Sequence, residues 1–509
     1  MQSMMPTSAY GTAAAMPIPD NVISGTRSAC ARVGSAVAVL RLRPFDTSTE
    51  AGRSRERYRR AALSGITAGV SKGIRLLTTI VAVPVTVGYL GAERFGLWMS
   101  LSSLIALTFG FADLGLGCTL QNAVSATNAK NDRGGMQRDV SSAFFALVTV
   151  PAALLVLFLA LYPHLPWDRI FNLKTSLAAR GAGPAAALFV VCYLATMPLG
   201  VAGRVQVGFQ EGFRANAWDS VAAGFGLVGT LVAAGLRADL PMLVLASSGA
   251  PLIAIAGNSL AEFGWRRPWL WPRWRWFEWR QVRALTGSGI LFLLASAGTV
   301  ALVGAPILVI GNRFGAAEAG PYALAYKILT IPMMLLALFW TPLWPAYADA
   351  KARGDHHWIR STLSRSRKLV SFVLAPAIMG LGLGTPWMVA AWTAGRLRPS
   401  LAESCATALF VVATSLQSIC AIPLVACGRL RIPAAVLTIA GALAFLPLAV
   451  PASKLSTAAV PLWVAGCEAL VIAAFVVDLR RLCGAKPARV AAEQPNCTAR
   501  EEALIPEGR

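Results

Sequence analysis

The stretch LSGITAGVSKGIRLLTTIVAVPVTVGYL, residues 63 to 90, decides the fold. It is a continuous apolar run whose only charges are Lys72 and Arg75. Coiled as an α-helix it would extend about 42 Å, more than the ~30 Å hydrocarbon core of a bilayer. A β-barrel strand would be shorter and would alternate polar with apolar residues, which this run does not. Only a helix satisfies the backbone within one such segment.

Similar windows recur along the 509 residues, in a chain that is 56% hydrophobic and 14% charged, with a mean hydropathy of +0.59. A soluble domain of this length does not have that composition. The windows predict an all-α polytopic membrane protein of about twelve spans in two sets of six. The first set covers 63–90, 97–120, 141–162, 184–205, 217–236 and 241–263; the second covers 286–311, 319–345, 366–386, 402–426, 431–451 and 456–478.

The net charge of +22 would in a soluble chain point to nucleic acid, but here the basic residues sort by side. With the N-terminus on the cytoplasmic face, the tails and even-numbered connections, together with the span ends beside them, carry 34 Lys and Arg, the opposite connections nine, and the span interiors three. That bias is the positive-inside pattern and predicts a multi-pass protein with both termini cytoplasmic. Nine Cys are scattered without CxxC spacing, and the three His are His164, His356 and His357. No metal site and no cofactor are expected.

Five segments follow: a disordered basic tail over 1–60, a six-helix lobe over 61–263, a connector over 264–283, a second lobe over 284–480 and a tail over 481–509. The tail has no apolar signal core, and Arg59-Arg60 reads as the basic flank of the first span. The connector, GWRRPWLWPRWRWFEWRQVR, holds six Trp and six Arg. Indole favours the headgroup zone and Arg the anionic leaflet, so a short interfacial helix against membrane lipid is expected, and no nucleic-acid partner.

The two sets repeat. Leu63-Ser64-Gly65 matches Leu285-Thr286-Gly287, and Pro84 matches Pro306 at the same offset. After a shift of two, Gly91, Gly96 and Trp98 match Gly315, Gly320 and Tyr322. Halves with an even number of spans repeat in parallel about an axis along the membrane normal, leaving a cavity between them.

Three cations within spans are the foremost site candidates: Lys72, Arg75 and Lys327. Together they would cost roughly 8 to 10 kcal/mol on the insertion scale unless compensated. Lys72 and Arg75 share a helix face beside Gly65, Gly69 and Gly73. Lys72 has a candidate ion-pair partner in Asp113 at comparable depth, whereas Arg75 and Lys327 have no evident carboxylate at theirs. In the repeat the three correspond to Leu294, Ala297 and Ser103, so the scaffold does not require them. Glu468 in the last span is a candidate coupling site or an internally bonded carboxylate. Arg204, Gln206 and Gln210 are weaker candidates.

The segment PVTVGYLGAERFGLWMSLSSLIALTFGFADLGLG, residues 84 to 117, resembles the polysaccharide (O-antigen or exopolysaccharide) flippases of the multidrug/oligosaccharidyl-lipid/polysaccharide exporter superfamily. WTPLWPAYADAKARGDH, residues 340 to 356, is similar to that family's eighth-span exit. The resemblance, over roughly 61–480, implies two pseudo-symmetric six-helix lobes in a V and alternating access. It implies a cationic cavity for the diphosphate of a polyprenyl-linked oligosaccharide, a bacterial cytoplasmic (inner) membrane location, and polysaccharide polymerase and glycosyltransferases as partners. It implies a transporter, not an enzyme. The alternatives are a membrane glycosyltransferase or polysaccharide ligase using the same carrier, for which His164 and Asp168 lie on the longest outer connection, and a drug exporter of the same fold.

Overall fold

The computed structural model describes residues 50–110, 112–113, 115–287, 290–340 and 343–484. Most of the two expected tails, 1–49 and 485–509, lies outside the described residues. By its contacts the chain divides into Met1–Ser64 and Gly65–Arg509. In the first unit, the end of the expected disordered tail is helical from Glu50 on, with Glu56 paired to Arg59 at 2.6 Å and to Arg60 at 2.8 Å.

The described structure is helical throughout, and ten helices are long and apolar enough to cross a membrane. The first of them holds expected spans one and two, nine others correspond to one expected span each, and the expected eighth span, 319–345, is not among them. The first helical run, α1 (Glu50–Phe109), includes an apolar stretch from Ala62 of 48 residues. That is about 72 Å of helix, twice what one crossing needs. It is two helices meeting at Gly91, whose φ of 75° and ψ of 175° no helix contains. The repeat-matched Gly315, φ 103°, makes the same break between α9 (Ile290–Phe314) and α10 (Ala316–Leu329). A side chain at either φ would be strained, which explains glycine at both positions. The expected eighth span is split into α10 and α11 (Ile331–Trp340). Pro332 sits at the split and has no N–H to donate to the preceding turn.

The remaining helices of the first half are α2 (Leu116–Ala129), α3 (Arg133–Leu161), α4 (Ser176–Leu199), α5 (Val201–Gly208), α6 (Gly212–Gly235) and α7 (Leu240–Arg266). The second half adds α12 (Leu343–Ala352), α13 (His356–Trp392), α14 (Leu401–Ala426), α15 (Arg431–Leu443) and α16 (Ala459–Gly484). Between the halves runs α8 (Trp279–Gly287). Large apolar side chains such as Leu236, Phe372, Val156 and Leu470 are exposed along these helices. A bilayer around the spans covers them without cost, which makes this a multi-pass membrane protein.

Expected span two ends early, at Phe109. A turn follows, Gly115 takes a left-handed φ of 72°, and α2 begins. Span five begins earlier than expected, at Gly212 instead of 217. Both shifts matter for the site.

The halves meet where the connections 90–97, 163–183, 312–318 and 387–401 lie, here termed the far end. A Cβ on Gly96 would strike the carbonyl of Ala316 and lie 3.2 Å from the Gly320 nitrogen, so two repeat-matched glycines bring the halves to backbone contact. Asn312 Nδ2 donates to the Ile170 carbonyl at 2.9 Å, and Trp392 Nε1 to that of Ile80 at 2.9 Å.

The connector is less helical than expected. Two single turns, Pro268–Leu270 and Trp274–Trp276, precede α8. It is docked on the first half: Gln137 Nε2 donates to the Trp269 carbonyl at 2.6 Å, and the backbone N–H groups of Arg273 and Glu278 donate to Ser141 and Ser142 at 3.3 and 3.0 Å. Gln281 donates to the buried Asp139. Arg266 and Arg267 pair with Glu211 at 3.2 and 3.1 Å, and Arg267 also with the fully buried Glu262. Trp265, Trp271, Trp274 and Trp279 remain exposed.

Candidate functional site

A cavity of about 500 Å³ lies against one face of α1. That volume is within the ~300–1,000 Å³ of ordinary ligand pockets. The α1 residues that line it, Arg75, Thr79, Ala82 and Thr86 among them, recur at intervals of three and four, so a single helical face is presented. Beyond Gly91 the chain returns with Trp98 and Met99 on the wall, α6 adds Asp219 and Thr230, and α7 adds Ser247. Among the described lining residues, Lys327 alone comes from the second half.

Two of the three intramembrane cations therefore face the same space. Arg75 is exposed to it and pairs with Asp219, Nη2 to Oδ2, at 3.1 Å. This corrects the expectation that Arg75 has no carboxylate at its depth. Because α6 starts at Gly212, Asp219 lies seven residues, about 10 Å, along the helix instead of at the surface. Asn216, one turn before it, donates to Thr67 at 3.3 Å and fixes α6 against α1. Both members of the Arg75–Asp219 pair are more than half exposed. A pair that well solvated contributes at most about 1 kcal/mol and opens readily to a competing anion.

The side chain of Lys327, on α10 one residue after Tyr326, has no hydrogen bond or ion pair among the described residues, and only its backbone carbonyl accepts, from Thr330 at 3.0 Å. Its charge is the one in the cavity left uncompensated among the described residues. Thr79 and Thr86 donate their hydroxyl protons to carbonyls one turn back, at 3.0 and 2.8 Å, leaving oxygen lone pairs toward the space.

Lys72 is half-buried and stands off the cavity lining. The candidate Lys72–Asp113 ion pair does not form among the described residues. Asp113 occupies the turn between α1 and α2, where its Oδ1 accepts from the Gly115 N–H at 2.9 Å. It lines a separate polar cavity of about 280 Å³ with Arg204, Tyr193 and Thr196. A continuous helix through 97–120 would have carried Asp113 elsewhere, and the break after Phe109 redirects it. The stripe of Gly65, Gly69 and Gly73 is open, with nothing within 4 Å of an added Cβ, so it packs no neighbouring helix among the described residues. Gln206 is buried and donates to Asn258 at 2.7 Å and Glu262 at 3.1 Å, which is a bracing role. Gln210 forms the turn before α6 with φ 60°. Glu468 is buried in the second half, where its Oε1 accepts from Thr414 at 3.3 Å.

Sequence reading missed Asp219, whose signal was present as a charge two residues inside a misplaced boundary and so read as lying at the surface. It also missed Glu403, at the far end of α14, which is 2% exposed. A carboxylate two residues inside an apolar run reads as flanking polarity unless the packing above it is known.

A model of the family described as polysaccharide biosynthesis protein matches residues 64–351, more than half of the chain. The chain belongs to this polysaccharide biosynthesis family. The match contains the whole α1 face, Asp219 and Lys327, so all charged groups of the cavity lie within the family region. Comparison with curated proteins gave no match. Among solved structures, this polysaccharide biosynthesis protein is similar to an inward-facing multidrug resistance MATE family transporter of the MOP superfamily, with TM-score 0.68 and 13% identity over 82% of this chain and 98% of that one. An outward-facing structure of a MATE family transporter aligns with TM-score 0.58 and 13% identity over 84% and 96%. A MOP superfamily transporter from Pyrococcus furiosus, described as having a binding pocket of reverse polarity, aligns with TM-score 0.59 and 14% identity over 84% and 96%. The fold is that of the MOP superfamily.

Proposed function

We propose that the protein is a flippase that carries a polyprenyl-diphosphate-linked oligosaccharide across the cytoplasmic membrane by alternating access. The observation that carries this reading is the convergence of Arg75 and Lys327, from opposite halves, on one cavity. A diphosphate brings at least two negative charges. Arg75 would bind it as a forked donor and Lys327 as a point charge, the two geometries that suit phosphate oxygens. Asp219 would hold Arg75 in place while the site is empty and yield it when the anion arrives. Lys72, one turn nearer the start of the span, would meet the headgroup on entry.

The family match and the exporter-type fold support transport in polysaccharide biosynthesis. The positive-inside bias supports cytoplasmic termini, an inner-membrane location and entry from the cytoplasm. In this reading the exposed Trp and Arg side chains of the connector sit among lipid headgroups, and the polymerase and glycosyltransferases that use the same carrier are the partners. Asp219 favours drug export as a second reading, since a cationic drug needs a cavity carboxylate. Two cations against one carboxylate weigh against it. The enzyme alternative has less to stand on, because the 163–183 connection that carries His164 and Asp168 closes over an apolar cavity lined by Leu165, Trp167 and Ile170.

The test is movement of a labelled lipid-diphosphate sugar across proteoliposomes. Wild type is expected to move it, and Arg75→Ala and Lys327→Ala are expected to abolish movement while keeping the wild-type elution profile and melting temperature. Unchanged movement in both variants overturns the cavity assignment. Turnover of a sugar donor without vectorial movement supports the enzyme instead.

A further inference from the structure

The second half contains a set of buried polar atoms that neither its packing nor the cavity explains. Tyr322 Oη, Glu403 Oε1, Ser404 Oγ and Glu468 Oε2 have no hydrogen-bond partner among the described residues, although each of these side chains is at most 2% exposed. Most buried polar atoms are paired, because leaving one unmet costs about 1–3 kcal/mol. The four atoms lie on α10, α14 and α16, with α14 packed against both of the others, and they form a polar seam inside an otherwise apolar half.

They form two levels joined by aromatic rings. At the far end, Glu403 lines a cavity of about 480 Å³ with Glu318, Arg398, Ser400 and Thr457. Its carboxyl is hydrogen-bonded by the Thr457 side chain, and Glu318 and Tyr322 of α10 are its electrostatic neighbours. Deeper in the half, Glu468 meets Thr414, which is eleven residues, about 16 Å, along α14 from Glu403. Between the levels, the rings of Tyr322 and Tyr326 stack at 6.3 Å, and Tyr326 stacks on Phe410 at 5.9 Å. Tyr326 and Cys467 are the titratable neighbours of Glu468; α14 offers it only the Thr414 hydroxyl, and α9 and α15 turn no titratable group to it among the described residues. Tyr326 precedes Lys327, so α10 shows a phenol to Glu468 and an ammonium to the transport cavity.

We propose that Glu403 and Glu468 are proton-binding sites in series: a proton enters from the far-end cavity onto Glu403 and passes by water and the Tyr322 and Tyr326 hydroxyls to Glu468. Each carboxylate gains one proton on arrival and gives up one on release, so charge moves without any other reactant. A proton fits better than a metal ion, since no group of three His, Cys, Asp or Glu side chains converges among the described residues. The proton sites rest on the buried groups alone. Their coupling to transport through Lys327 rests on the flippase reading.

The test uses the full chain in vesicles of phosphatidylethanolamine and phosphatidylglycerol, without substrate, so its outcome is independent of flipping. Infrared difference spectra between alkaline and acidic buffer report protonated buried carboxyl groups. Wild type is expected to show two such bands, with Glu403→Gln and Glu468→Gln each removing one. Glu468→Asp, which keeps a carboxyl, is expected to retain a shifted band and so separates loss of the group from loss of the fold. In a pH jump from the far side, Tyr326→Phe is expected to keep both bands and lose the fast arrival at Glu468. Bands that persist in the double Gln variant overturn the assignment. So does displacement of the bands by sodium at constant pH, which would make this a metal-ion site.

Discussion

The two halves share a scaffold and handle charge in opposite ways. In the first half, ionic groups stand on an open helical face: Arg75 and Asp219 are each more than half exposed, and among the described residues no neighbouring helix packs on the glycines before Arg75. In the second half, Glu403 and Glu468 are enclosed by α10, α14 and α16 with oxygens unmet. Charges of the first kind remain hydrated and exchange partners at little cost, which suits a site that must admit and release an anion. Groups of the second kind are held within helix packing, where a change of occupancy is felt by the surrounding helices. The lesson is that a duplicated fold can keep its backbone devices, Gly91 with Gly315 and Gly96 with Gly320, while its polar chemistry diverges completely.

Charge reversal breaks this comparison most severely. Lys327→Glu is expected to abolish anion transport, because it removes the uncompensated cation and adds a carboxylate facing Asp219; proteoliposome flux measures it. Replacing Gly96 by Leu comes next. Its side chain would meet the backbone of Ala316, so separation of the far-end seam and a loss of about 1–3 kcal/mol are expected, read as a lower melting temperature in detergent. Equal damage from Gly320→Leu would extend the symmetry of the halves to their energetics.

Smaller effects sharpen the comparison. Gly91→Ala and Gly315→Ala place a Cβ at positive φ and are expected to cost about 1–2 kcal/mol each. Similar losses at the two sites would show that the break is the same device twice. Asp219→Asn is expected to tighten binding of inorganic diphosphate by about fivefold, the equivalent of the ~1 kcal/mol an exposed ion pair holds, with little change in stability. Weaker binding would make Asp219 part of the site instead of a displaceable counter-ion.

Much of the fold was legible because transmembrane spans announce themselves by length and composition. Residues 63–90 and the repeat around Gly91 and Gly315 carried most of it. Boundaries were less legible, since an apolar run does not record where its helix breaks. The turn after Phe109 and the start at Gly212 decided the partners of Asp113 and Asp219, and both pairings were therefore misjudged. The convergence of Arg75 and Lys327 depends on how two distant spans pack, which no local pattern encodes. Glu403 was hidden for the same reason, because its burial comes from α10 and from Thr457, far along the chain.

The clasp of the connector on α3 sets the length of the leash between the halves. Twenty residues of loose chain could let two lobes drift tens of ångströms apart. Here Ser141, Ser142, Gln137 and Asp139 bind most of that chain to the first half. Past Gln281, the last of these contacts, α8 runs on only to Gly287. A polypeptide that looks like a linker is therefore an extension of the first lobe, and it carries its exposed Trp side chains wherever that lobe goes.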